Sequence, residues 1–265
     1  MPFTVSHAAA AGPLWRLSGQ RLVLSALAVG AMAPDFEYLV HLSARRTIGH
    51  TLPGLVVLCL PLSLAALFLW HRLVQPAWGP RLVGRAAPGS FAFWPGRRLA
   101  VVAASALLGS LSHVGWDAFT HQHGFVVRHA GVLAATVPGT GLHVYTLLQY
   151  ASSGAGAVFL ALWAHQHLGG PTRRAPGATP APLLAIVAGA GLFGGAANTL
   201  RVSGTATDLS RWLAAASIGA MAAGVLAVLV LSAYLLRRPV RVTPVRALRP
   251  SRVRLDGRLV SGSGR

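Results

Sequence analysis

His113, Asp117 and His121 follow one another at intervals of four residues, in a chain with only five acidic residues among 265. On a helix that spacing stacks the three side chains along one face. Imidazole nitrogen and carboxylate oxygen converging from one rigid element are the donors that a zinc-type ion requires. His123 follows closely: either it or His121 completes such a site while the other supports it from behind. A second group lies earlier, where Asp35 and Glu37 sit in Pro34-Asp35-Phe36-Glu37 between His7 and His50. Asp35 reads as a ligand, with a helix N-cap as its competing role. Glu37 reads as an acid/base group or as a surface charge. His50 opens an apolar run and His143, with Tyr145 and Gln149, starts another, so both are candidate ligands. Arg45 and Arg46 form a pair suited to gripping a phosphate through paired N–H donors.

These residues need a scaffold, and composition names it. The chain is 54% hydrophobic and 11% charged, less than half the charged fraction of ordinary soluble domains, about 25%. All 23 basic residues are arginine, and the net charge is +18. Nucleic acid is the usual partner of so basic a chain, but here the arginines fall between and after apolar runs instead of interleaving with aromatics. That placement orients a membrane protein. The expected fold class is all-α, a polytopic membrane helical bundle. About five transmembrane helices are expected near residues 52–73, 99–119, 150–167, 181–200 and 212–236, each close to the ~20 residues that a bilayer needs. Leu22–Ala33 is too short to span, and reads as an N-terminal re-entrant or interfacial helix stopped by Pro34. Its Ala31-Met32-Ala33 end resembles a signal-peptide cleavage site, which the following proline disfavours. Cys59 has no partner cysteine and reads as a small core residue.

With five alternating spans, sixteen arginines fall on one side, including those of the tail. The excess of arginine on cytoplasmic loops puts that side inside the cell, and every candidate ligand on the extracytoplasmic face. The chain accordingly divides into a core, 1–168, that carries the site; a loop, 169–180; two further helices, 181–236; and a basic tail, 237–265, expected to be disordered and cytoplasmic. Gly191 and Gly195 offer a close helix contact in the second part.

Several stretches together resemble an uncharacterised family of bacterial integral membrane proteins: Met1 to Ala9 (MPFTVSHAA), Ala33 to Tyr38 (APDFEY), His50 to Gly54, Leu111 to His121 (LSHVGWDAFTH) and Leu147 to Ser153. The order of His and Asp residues is also similar to inner-membrane proteins assigned as metal-dependent hydrolases. More distantly, it resembles the all-helical zinc-dependent phospholipase C and P1-type nuclease superfamily. On that pattern His7, Asp35, His50, His113, Asp117 and either His121 or His123 would be metal ligands. The superfamily's further His-x-x-x-Glu is half present, because Leu147 stands where its carboxylate belongs. The implied cofactor is a divalent metal, most simply zinc, and one or two ions are expected. The implied activity is a membrane-embedded hydrolase of a phosphoester, such as a lipid-linked head group, with membrane lipids as partners. Metal binding or transport without catalysis is the alternative, and a purely structural cluster is a third.

Overall fold

The computed structural model describes residues 4–82, 97–168, 181–204 and 209–238. The linker expected at 169–180, the tail beyond residue 238, Met1 to Phe3 of the opening motif, and Arg85 lie outside the described residues. Within them the chain is an all-α bundle without a β-strand; Thr136 and His143 form one isolated bridge. A 3-10 turn, Thr4–Ala10, runs into α1 (Ala11–Leu17). Then come α2 (Leu24–Met32), α3 (Phe36–His41), α4 (Leu52–Leu82), α5 (Arg97–Thr120), α6 (Phe125–His129) and α7 (Gly131–Ala134). Three long helices finish the chain: α8 (Val144–Leu168), α9 (Ala181–Val202) and α10 (Leu209–Leu236).

Among the described residues five helices are long and apolar enough to cross a membrane, and this is a polytopic membrane protein. Two of them extend well beyond the expected apolar stretches. Helix α4 continues nine residues past Leu73 to Leu82, and α8 begins six residues before Tyr150. Helix α4 survives its prolines by widening. Wide turns at Leu55–Cys59 and Trp70–Val74 end two residues before Pro61 and Pro76. Proline has no N–H to offer and crowds the carbonyl four residues back, and a π-type turn relieves both problems.

Helix α2, the short helix expected before Pro34, packs against α5. Nine residues give it a length of only about 14 Å, and Ala26, Leu27, Gly30 and Ala31 are buried against α5. Gly30 rests on the Ala106 carbonyl and Gly109 on that of Leu27, so closely that a Cβ at either would collide with backbone. This contact places the Ala31 carbonyl beside His113, one turn further along α5. Helices α9 and α10 form a separate hairpin whose tightest approach is Gly194 against Gly219, while Gly191 is in looser contact. The hairpin packs on the far end of α4, where Val74, Ala77 and Trp78 bury against Leu235 and the Trp78 indole donates to Ser232. It also meets Leu42, which ends α3 in the left-handed conformation and whose carbonyl accepts from Asn198 and Arg201.

Candidate metal centre

Four segments deliver the site. The 3-10 turn brings His7, the break between α2 and α3 brings Asp35, the loop before α4 brings His50, and α5 brings His113 and Asp117. His7, Asp35, His113 and Asp117 are each under 9% exposed, and the His50 side chain is 9% exposed. Asp35 occupies an N-cap position but makes no cap hydrogen bond. Its carboxylate turns inward, where Oδ2 accepts from Thr4 Oγ1 at 2.7 Å and Oδ1 faces two imidazoles.

The separations identify the kind of contact. Asp35 Oδ1 lies 3.4 Å from His50 Nε2 and 3.6 Å from His113 Nε2. Asp117 Oδ2 lies 3.6 Å from His50 Nε2 and 3.7 Å from His113 Nε2, and its Oδ1 is 3.8 Å from His7 Nε2. These distances are too long for good hydrogen bonds. They match the edge of a coordination tetrahedron, about 3.4 Å for bonds of about 2.1 Å. His7 Nε2, His50 Nε2, His113 Nε2 and Asp117 Oδ1 are all buried without a hydrogen-bond partner. Buried polar atoms are nearly always paired, and three orphan imidazole nitrogens within 3.8 Å of the Asp117 carboxylate leave a place for a cation.

The second nitrogen of two of these rings is already committed. His113 Nδ1 donates to the Ala31 carbonyl at 2.7 Å; a carbonyl can only accept, so Nε2 carries the free lone pair. His50 Nδ1 faces Glu37 Oε1 at 3.3 Å. Glu37 is buried and its oxygens are filled, because they also receive the Thr47 N–H and hydroxyl and the Gly49 N–H. Carboxylate–histidine pairs of this kind orient metal-ligating imidazoles. Two donor sets could each hold an ion: His7, His113 and Asp117, or Asp35, His50 and His113, each mutually within 4.8 Å. Both use His113, which has one lone pair to give.

Electrostatics agree with the geometry. Burial, and then the neighbouring His113, push the His7 pKa down to about 4, so its ring is neutral and able to ligate at pH 7. Burial alone would raise Asp35, but His50, His113 and Thr4 overcome it and hold the carboxyl below the usual carboxylate range. Glu37 is likewise held low, against burial, by the Thr47, Gly49 and His50 donors. Arg46 Nη2 donates to Asp117 Oδ2 at 2.7 Å and its Nε to the Tyr38 hydroxyl at 2.9 Å. If the imidazoles bind as the neutral ligands that coordination requires, three buried carboxylates against the Arg46 guanidinium leave two negative charges, the complement of a divalent ion.

The remaining candidates fall into two groups. His121 is beside the cluster, its Nδ1 3.3 Å from Asp117 Oδ1 and its Nε2 3.4 Å from the Gln149 amide. Because an amide nitrogen donates, His121 Nε2 accepts and its proton sits on Nδ1, where Thr120 Oγ1 lies 3.3 Å away as an acceptor. His123, Arg45 and His143 are exposed and outside both donor sets. His143 is occupied elsewhere, with Nδ1 2.9 Å from the Ala134 carbonyl and its ring stacked on Tyr145. Helix α5 stops at Thr120, and Gly124 starts α6 in an extended conformation, so His123 is in the turn between them. Sequence reasoning gave no role to Thr4, Tyr38, Thr47 or Ala31. A threonine hydroxyl and a backbone carbonyl carry no sequence signal of their own, although Tyr38 sits one residue from Glu37.

The sequence model of a family described as "Domain of unknown function (DUF4184)" matches residues 1–234. No curated protein and no solved structure matches the chain.

Proposed function

We propose that this chain, which belongs to the DUF4184 family, is a membrane-embedded, metal-dependent hydrolase of a phosphoester. The observation that carries the reading is the set of buried, unpaired donor atoms gathered at the Asp117 carboxylate. His7, His50 and His113 through Nε2, with Asp35 and Asp117, would hold one divalent ion; a nitrogen-rich donor set with carboxylates suits zinc. We take one ion rather than two, because both donor sets call on His113, whose Nδ1 is committed to Ala31. Such an ion polarises a phosphoryl oxygen and brings the pKa of water towards about 7.

The chain's own residues supply the rest. Glu37 holds the His50 ring with Nε2 facing inward, and Ala31 does the same for His113. Asp117 has one oxygen towards His7 and the other towards His50 and His113, so it orients the attacking water as well as the ligands. Arg46 is the one guanidinium in contact with the cluster among the described residues, and its side chain is 38% exposed. It can leave Asp117 for the phosphoryl oxygens, neutralising charge as it builds. Arg45, expected to grip phosphate, and His123, expected to ligate or to support a ligand, are exposed, lie outside both donor sets and take no part in this reading. The arginine distribution puts this end of the bundle on the extracytoplasmic face and the tail in the cytoplasm.

Transport is less well supported. Away from this end, the described buried polar residues of the spans are Ser63, Ser105, Asn198, Ser232 and one ionisable group, Arg81. Arg81 lies at the last turn of α4 and donates to the Ala77, Leu235 and Arg238 carbonyls, whereas ion pathways place such groups at depth. The test is Asp117→Asn. It should remove bound metal and phosphoester hydrolysis together while the protein remains folded in detergent; hydrolysis surviving without the carboxylate refutes the mechanism.

A further inference from the structure

Beside the cluster lies a cavity of about 590 Å³, bounded by the 3-10 turn and α1 on one side and by α5 and α8 on the other. His7 belongs to both: it lines the cavity, and its Nε2 is 3.8 Å from Asp117 Oδ1. The cavity walls are formed by Ala9, Pro13, Leu14, Trp116, Ala155 and Phe159. Four serines also reach it, but none has a donor to spare. Ser6 donates to the Ser153 carbonyl, Ser112 to that of Gly109, and Ser152 and Ser153 to that of Gln149. The Trp116 indole N–H goes to Ser152 Oγ. Apart from His7, whose Nε2 faces Asp117, the side-chain donors of the lining are all engaged within the protein, so away from the cluster the cavity offers a ligand dispersion and desolvation.

We propose that this cavity holds the hydrocarbon chain of the substrate whose phosphate sits at the metal centre, so that the substrate is a phospholipid-type amphiphile. The assignment rests on the hydrolase reading for the head group, and on the cavity alone for the chain. Three observations select a hydrocarbon chain over other occupants. The lining is apolar and saturated. The volume, at about 30 Å³ for each water-sized group, takes about twenty methylenes. Two of its walls, α5 and α8, are helices long enough to cross a membrane, so the cavity opens where acyl chains are the solvent.

The test uses the full chain in phosphatidylcholine nanodiscs, loaded with zinc, and linear alkylphosphonates of two to eight carbons as non-hydrolysable probes. Calorimetry should show affinity rising by up to about fourfold per added methylene, from the usual transfer free energy of a CH₂ group. Ala155→Trp, an exposed helix position away from the ligands, fills the cavity. It should flatten that dependence while leaving two-carbon affinity unchanged, and Ala155→Ser should preserve both. Partition into the bilayer affects wild type and variants equally, so the difference in slope is what counts. Equal slopes in wild type and Ala155→Trp, or no slope in either, overturn the proposal. Repeating the series after chelation separates the two claims. A slope that survives with weaker overall binding supports both cavity and metal anchor. A slope with metal-independent affinity leaves the cavity standing and removes the hydrolase reading.

Discussion

Replacing Glu37 by glutamine tests the site through a residue that touches no metal. The Glu37 carboxylate is buried and accepts from Thr47, Gly49 and His50. Most of these donors converge on Oε2, which receives Thr47 N–H, Thr47 Oγ1 and Gly49 N–H. A glutamine therefore settles with its carbonyl oxygen at that position and its NH₂ group opposite His50 Nδ1. Two donors then face each other 3.3 Å apart. The imidazole escapes by moving its proton to Nε2, and the lone pair that should reach the cation is lost. Loss of such supporting partners lowers metal affinity by about 10–100-fold, equivalent to about 1.4–2.8 kcal/mol. Competition with a chromogenic zinc chelator in detergent measures it, with circular dichroism confirming that the helices persist. Wild-type zinc affinity in Glu37→Gln would show that His50 is not a ligand, or that its tautomer is immaterial.

Three further outcomes follow from the same geometry. Gly30→Val should drive α2 off α5, because its side chain meets the Ala106 backbone; about 1–3 kcal/mol of stability should be lost, together with zinc affinity through the displaced Ala31 carbonyl, and thermal unfolding with unchanged zinc binding would contradict the linkage. Chelated protein should lose stability on acidification: His7 takes up a proton near 6.5 when unfolded but only near 4 when folded, so below 6.5 the unfolded chain binds more protons, and up to ~3 kcal/mol is lost between those values. The depressed pKa of Asp35 acts in the same direction, so a melting temperature flat from pH 7 to pH 4.5 would refute the burial argument. His123→Ala and His143→Ala should each keep zinc affinity within about twofold, since neither belongs to a donor set; a tenfold loss in either would mean that the ligand shell is drawn wrongly.

The helices were legible in the sequence because each carries its own apolar run, and a span declares itself by length. Their ends were less so. The span expected to end at Leu73 runs on to Leu82, through wide turns that precede Pro61 and Pro76. The pairing of His113 with Asp117 was readable because i and i+4 share a helix face whatever the tertiary fold. The approach of His7, Asp35 and His50 depends instead on how α2 seats against α5. That seating is visible only as glycines at 30 and 109, which look like any others in a chain of 30 glycines. Glu37 illustrates the limit best. Its spacing from Asp35 gave no sign of its role, because the loop through Thr47 and Gly49 that folds back over it has no periodicity. His143 was misleading for the same reason: the start of a span near other polar residues says nothing about which way a turn carries it.

X-ray absorption at the zinc edge, combined with elemental analysis of the purified chain, addresses the coordination claim most directly. One ion per chain should be found, in a shell of nitrogen and oxygen at about 2.0–2.1 Å with imidazole scattering, and it should be absent from Asp117→Asn. No retained metal would contradict the account, as would two ions per chain or a shell without imidazole.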